Sequence, residues 1–205
     1  MEKRMSKMLA IIFALALAFA YSCGGGGSSS GGAAGYTPDN APSSTGTTTL
    51  STTEKVQVEQ EVSMYITMLG GAYGGATSKA ATKIDQCIDI PDSECSGGKY
   101  CVEGDVDQNG GDIKISMVED FVCEGMTYHF FEYDINFDYS SDYQMNIKSA
   151  AGAIDIEWDE QFNVQNFRVF VKWDKGGSVE GWIAENGVKT GEIGGTTTNP
   201  TITWL

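Results

Sequence analysis

Beyond residue 50 the spacing of hydrophobic positions changes once. Val58, Val62, Tyr65, Ile66, Leu69, Ala72 and Tyr73 recur at three- and four-residue steps, which predicts one apolar face of an α-helix. Ser51-Thr52-Thr53-Glu54 precedes this run. A hydroxyl at the cap with a carboxylate three residues on is the capping-box pattern. Gly70, Gly71, Gly74 and Gly75 follow. Each glycine costs ~1 kcal/mol relative to alanine in a helix interior, so the helix is expected to break there. A second helix is expected over residues 76–86.

From Lys99 the period becomes two, with turns every 8–13 residues, as in consecutive antiparallel hairpins. Strands over 100–106 and 113–122 flank Asn109-Gly110, a pair suited to a type I′ turn. Centring the turn there sets Val106 opposite Ile113 and Val102 opposite Met117. In the next hairpin Phe131, Tyr133, Ile135, Phe137 and Tyr139 alternate with Glu132, Asp134, Asn136 and Asp138. A turn at Ser140-Ser141-Asp142 would place Phe137 opposite Met145 and Asp134 opposite Lys148, an opposite-charge pair. Further strands are expected around Ile154–Ile156–Trp158, Phe167–Trp173, Val179–Ile183 and Val188–Ile193, with a last one over 200–205. Asn186-Gly187 should turn the penultimate hairpin.

The links are short, so neighbours in sequence should be neighbours in the sheet, and no helical crossover suggests parallel pairing. The expected fold is α+β: an N-terminal helix packed on a curved antiparallel β-meander of eight to nine strands. Sheets of that size leave exposed edges unless they curl, so a half-open barrel is the expected form. In outline this is similar to periplasmic carriers of lipid and lipoprotein, whose partly open barrels cradle an apolar ligand. Architecture alone does not fix function.

The first fifty residues read differently. Glu2, Lys3, Arg4 and Lys7 give a short positive region, and residues 8–21 form an uncharged apolar run. A spanning helix needs ~20 such residues; this run has the length of a signal-peptide core. Ala18-Phe19-Ala20 fits ordinary secretion. Ala20-Tyr21-Ser22-Cys23 resembles the lipobox of bacterial lipoproteins, although Ala20 stands where leucine is usual and Tyr21 is bulky. That resemblance implies cleavage before Cys23 and acylation of its side chain. Gly24 follows the cysteine; by similarity to lipoprotein sorting in diderm bacteria, the absence of an aspartate there implies an outer-membrane address. Residues 24–50 are mostly Gly, Ser, Thr, Ala and Pro, too polar to offset their ordering entropy. The chain therefore divides into a signal peptide (1–22), a lipidated cysteine with a flexible tether (23–50) and one domain (51–205).

Cysteine parity supports the lipobox. The five are Cys23, Cys87, Cys95, Cys101 and Cys123. Ordinary secretion would leave an odd thiol in an oxidising compartment, whereas lipidating Cys23 leaves four. In the register centred on Asn109-Gly110, Cys123 faces Ser96, next to Cys95, while Cys101 faces Val118. A slight irregularity near Gly97-Gly98 would bring Cys95 to Cys123, leaving Cys87 for Cys101.

Charge excludes one class of partner. The formal net charge is −15, and removing the net +2 of residues 1–22 leaves −17. Such a surface repels nucleic acid and anionic lipid. The only histidine is His129, among Tyr128, Phe130 and Phe131, a setting that reads as strand packing rather than a general base. Asp105-x-Asp107-x-Asn109-Gly110 resembles the first half of an EF-hand calcium loop, but Ser116 stands where that loop carries its bidentate glutamate. A polar hairpin tip accounts for the same residues. Glu132, Asp134 and Asp138 share a strand face and could form a glycosidase-like set, yet alternation alone places them in solvent. Trp158, Trp173, Trp182 and Trp204 could line a concavity or simply pack.

No catalytic residue, metal site or cofactor is expected. The reading is a non-enzymatic, membrane-anchored cell-envelope lipoprotein that binds an apolar or amphipathic ligand in its curved sheet. The alternative is a structural or partner-binding surface lipoprotein without a ligand cavity. A carboxylate-dependent hydrolase ranks third.

Overall fold

The computed structural model describes residues 42–70, 82–89, 95–107, 109–123, 125–139 and 145–205. One helix, α1 (Thr52–Gly70), is followed by eleven strands: β1 (Thr82–Asp89), β2 (Cys95–Ser96), β3 (Lys99–Asp107), β4 (Gly110–Glu119), β5 (Phe121–Cys123), β6 (Met126–Tyr139), β7 (Met145–Gln161), β8 (Val164–Trp173), β9 (Val179–Glu185), β10 (Val188–Thr196) and β11 (Asn199–Trp204). The main sheet runs β1-β3-β4-β6-β7-β8-β9-β10-β11, with β2 and β5 as a short side ladder joined to β6. Its ladders are antiparallel, and among the described residues β1 and β11 are its open edges. The described residues thus form a mostly antiparallel β protein with one helix, on the β-rich side of the α+β class.

The capping box sets the start of α1. Ser51 N donates to Glu54 Oε2 at 2.8 Å, and Glu54 N donates back to Ser51 Oγ at 3.3 Å. Val58, Val62 and Ile66, four residues apart, are all buried. They share one hydrophobic core with Ile154 and Ile156 of β7, Phe167, Val169 and Val171 of β8, Ile183 of β9 and Ile193 of β10. At β11, Trp204 Nε1 donates to Glu59 Oε1 at 2.7 Å and the Lys55 ammonium lies 5.5 Å over the Trp204 ring. Ala72, Tyr73 and residues 76–81 lie outside the described residues. Residues 82–86, expected as helix, are the first part of strand β1 instead, paired with β3 from Thr82 opposite Val106 to Asp89 opposite Lys99. The ladder to β3 overrides a segment with little strand pattern of its own.

Both hairpin registers differ from expectation. In β3–β4, Asp107 faces Gly110, so Val102 faces Ile115 and Val106 faces Gly111. The cause is Asp107, whose Oδ1 accepts the N–H groups of Asn109 at 2.7 Å and Gly110 at 3.2 Å. That Asx turn reverses the chain one residue early. Gly110 then enters β4 with φ 142°, where an added Cβ would sit 2.2 Å from the Phe137 carbonyl oxygen. In β6–β7, Phe137 faces Ile147 and Tyr139 faces Met145, with a register shift between Asn136 and Phe137. Lys148 falls in that shift and pairs with Asp138 at 2.7 Å, not with Asp134.

The expected strands on either side of residues 150–153 are one strand, β7. Its middle is Ala150-Ala151-Gly152-Ala153. Trp173 lies over Gly152, where an added Cβ would meet its ring at 2.6 Å. Small residues there make room for a neighbour's indole rather than marking a break.

Cysteines fasten the β1–β6 side. Cys87 is joined to Cys101 across the β1–β3 ladder and Cys95 to Cys123 across β2–β5, with Cα separations of 4.0 and 4.2 Å. Gly97 and Gly98, with φ of 71° and 101°, and the register shift between Lys99 and Tyr100 realign the strands so that Cys95 faces Cys123 directly.

Candidate functional site

Where α1 crosses β7 and β8, a narrow cleft remains. Its apolar lining includes Val58, Val62, Ile156, Trp158 and Phe167, and Glu61, Tyr65 and Gln161 supply its polar atoms. Burial raises the Glu61 carboxyl above its ordinary value. Burial, and then the charge of Glu61, push the Tyr65 phenol up to about 12. Phe162 closes part of this cleft from the β7–β8 turn, where it and Asn163 have φ of 54° and 57°. A positive φ is strained for a bulky side chain; the ring is held edge-on to Phe167, 5.3 Å away. The free volume is about 30 Å³, room for one or two water-sized groups.

A second feature lies on the β9–β10 hairpin. Residues 44–50, read from composition as part of the flexible tether, are docked there. Gly46 N donates to Lys189 O and Lys189 N to Ser44 O, both at 2.9 Å, around a parallel bridge between Thr45 and Lys189. Thr49 donates its backbone N–H to Glu185 Oε2 at 2.8 Å and its hydroxyl to the same oxygen at 2.5 Å. Leu50 is buried in the main core. The ordered domain therefore begins before Ser51.

Glu185 is almost fully buried. Burial alone would raise its pKa, but hydrogen bonding, including the two bonds from Thr49, brings it below the ordinary 4.5. A carboxylate with a depressed folded-state pKa adds stability that is complete above its unfolded-state pKa and is lost as pH falls through the folded one. Amide exchange at Gly46 and Lys189, corrected for intrinsic rate, is expected to accelerate as the pH drops below about 4.5. Glu185→Leu should show the fast exchange already at neutral pH. Unchanged protection in that variant would contradict the contact's role.

The residues singled out by sequence are dispersed. His129 contacts two carboxylates. It is the extra residue in a register shift of β6, with Nδ1 3.1 Å from Asp120 Oδ2 and Nε2 3.5 Å from Glu157 Oε2. An extra residue in one strand of a ladder re-aims its side chain, here between two carboxylates. Glu132 pairs with Lys114 at 2.8 Å, Asp134 with Lys175 at 3.1 Å and Asp138 with Lys148. The hydrogen bond from Lys148 lowers the Asp138 pKa, opposite to the shift a general acid needs. Asp107 holds its turn, while Asp105 faces Asp112 across the β3–β4 ladder. Among the described residues no group of three or more His, Cys, Asp or Glu is arranged to hold a metal ion. Trp158, Trp173 and Trp204 pack on the helix side of the sheet. Trp182 lies on the other face, stacked on Phe170 with ring centroids 5.8 Å apart. Cys23 lies outside the described residues, and among those described no helix is long and apolar enough to cross a membrane.

Two arrangements escaped sequence reasoning. One is the docked strap, whose order comes from a residue 136 positions away. The other is Asp155, fully buried on the face away from α1 and gripped by Arg168 through Nε and Nη2, each at 2.7 Å. An isolated aspartate in an alternating strand gives no sign that it is buried. Comparison with known proteins finds no matching family, no similar curated protein and no similar solved structure.

Proposed function

We propose that this chain is a bacterial cell-envelope lipoprotein, anchored through Cys23 to the outer membrane, whose domain works without catalysis as a structural or partner-binding module. The anchor reading is supported by the signal-peptide pattern, the lipobox-like Ala20-Tyr21-Ser22-Cys23 and the pairing of the other four cysteines with one another. The sheet is read as curved around α1, a half-open barrel. The supporting contact is one core shared by α1 and residues of β7, β8, β9 and β10, with Ile202 and Trp204 of β11 packed against it.

The volume of the cleft under α1 carries the choice between a ligand carrier and a partner-binding module. Ligand pockets typically hold ~300–1,000 Å³, whereas this cleft holds about 30 Å³. An acyl chain would enter only after α1 and Phe162 moved. A cleft this small favours binding through the outer surface over an apolar cargo. Native mass spectrometry of the purified mature protein tests this. The expected spectrum shows the polypeptide with its own acyl modification and nothing else. A stoichiometric co-purified lipid would instead establish the carrier reading.

A further inference from the structure

The docked strap ties the membrane anchor to one end of the domain. Residues 44–46 lie along the start of β10, and Thr49 meets Glu185 at the end of β9, next to the Asn186-Gly187 turn. Antiparallel pairing assigns the other connections to the same end or to the opposite one. Asn186 N donates to Asn166 O at 2.7 Å, so the β7–β8 turn at Phe162-Asn163 shares the strap's end. Met126 faces Trp158 near it, so the start of β6 is there too. The β3–β4 turn at Asn109 lies at the opposite end, because Gly110 faces Asp138 at the far tip of β6. The Lys175-Gly176 turn and the Thr196–Asn199 turn also point that way. β6 and β7, with 14 and 17 residues, carry the far tips outward. From Met126 to Asp138 the separation is roughly 40 Å at ~3.3 Å per residue.

We propose that residues 44–50 act as an orienting strap: they hold the end carrying Asn163 and Asn186 toward the membrane and present the β3–β4 and β6–β7 hairpin tips away from it. This rests on lipidation of Cys23. Between Cys23 and Ser44 the chain has 20 residues. A 20-residue stretch of this Gly/Ser-rich composition has a characteristic r.m.s. span of roughly 25 Å. That is shorter than the separation between the two ends, so the ends differ in mean distance from the bilayer. The outward tips carry Asp105, Asp107 and Asp112, beside the ion-paired Asp138 and Lys148, a net negative charge that an anionic lipid surface would repel.

The test uses the full-length lipidated protein in phosphatidylcholine vesicles containing an energy-transfer acceptor on the lipid headgroup. A donor dye is placed at Gln165→Cys, an exposed site at the strap's end, or at Asn109→Cys, an exposed site at the far tip. The expected result is severalfold stronger transfer from residue 165 than from residue 109, and none from either site when Cys23→Ala prevents anchoring. Equal transfer from the two sites, or stronger transfer from residue 109, in protein that floats with the vesicles would overturn the orientation and leave the lipoprotein reading standing. Wild-type protein that does not float with vesicles at all would overturn both.

Discussion

Replacing Arg168 with alanine is expected to lower stability by about 3–5 kcal/mol, the usual cost of leaving a buried charge without its partner. Asp155 has no exposed surface, and the Arg168 guanidinium grips both of its oxygens while lying 5.5 Å over the Trp182 ring. The guanidinium therefore supplies both charge and packing, which lysine would not reproduce. For a domain of this size the loss corresponds to a fall in Tm of roughly 6–20 °C. Because a buried pair offsets its own desolvation only with good geometry, Asp155→Leu combined with Arg168→Met should recover part of the loss. Urea unfolding of the three proteins checks this. A midpoint for Arg168→Ala within error of the wild type would show that the pair contributes nothing.

The second large effect is expected from Cys95→Ser combined with Cys123→Ser. The bridge joins β2 to β5 across their ladder and closes a sequence separation of 28. In the chain-entropy model a loop of that length is worth roughly 3.5 kcal/mol. Removing Cys87–Cys101, with a separation of 14, should cost somewhat less, roughly 3 kcal/mol. Non-reducing peptide mapping and urea midpoints together decide the matter. A peptide joining Cys87 to Cys95, or an unchanged midpoint in the double serine variant, would contradict this arrangement.

What could be read from sequence was what local chemistry determines. The start of α1 was legible because Ser51 and Glu54 satisfy each other without help from the rest of the chain. The Asn186-Gly187 turn was legible because both residues adopt positive φ, 51° and 76°. Registers were less so. In the β3–β4 hairpin, Asp107 competes for the turn's N–H groups and shifts the reversal by one position. In β7 the small residues that accommodate Trp173 look like a gap between two strands. β1 was missed because Thr82–Asp89 alternates weakly and gains its order from β3. The docked strap was hidden for a related reason: Ser, Thr and Gly at 43–49 have a linker's composition, and their docking partners Glu185 and Lys189 are distant in sequence. Function was the least legible level, since the candidate acids turned out to be divided among separate lysines.

Metabolic labelling with a clickable fatty-acid analogue, followed by mass analysis of the amino-terminal peptide, tests anchoring most directly. The expected peptide begins at Cys23 and carries the acyl label, and Cys23→Ala abolishes the label. A mature protein that begins at Tyr21 with an unmodified Cys23, or equal labelling of the wild type and Cys23→Ala, would contradict it.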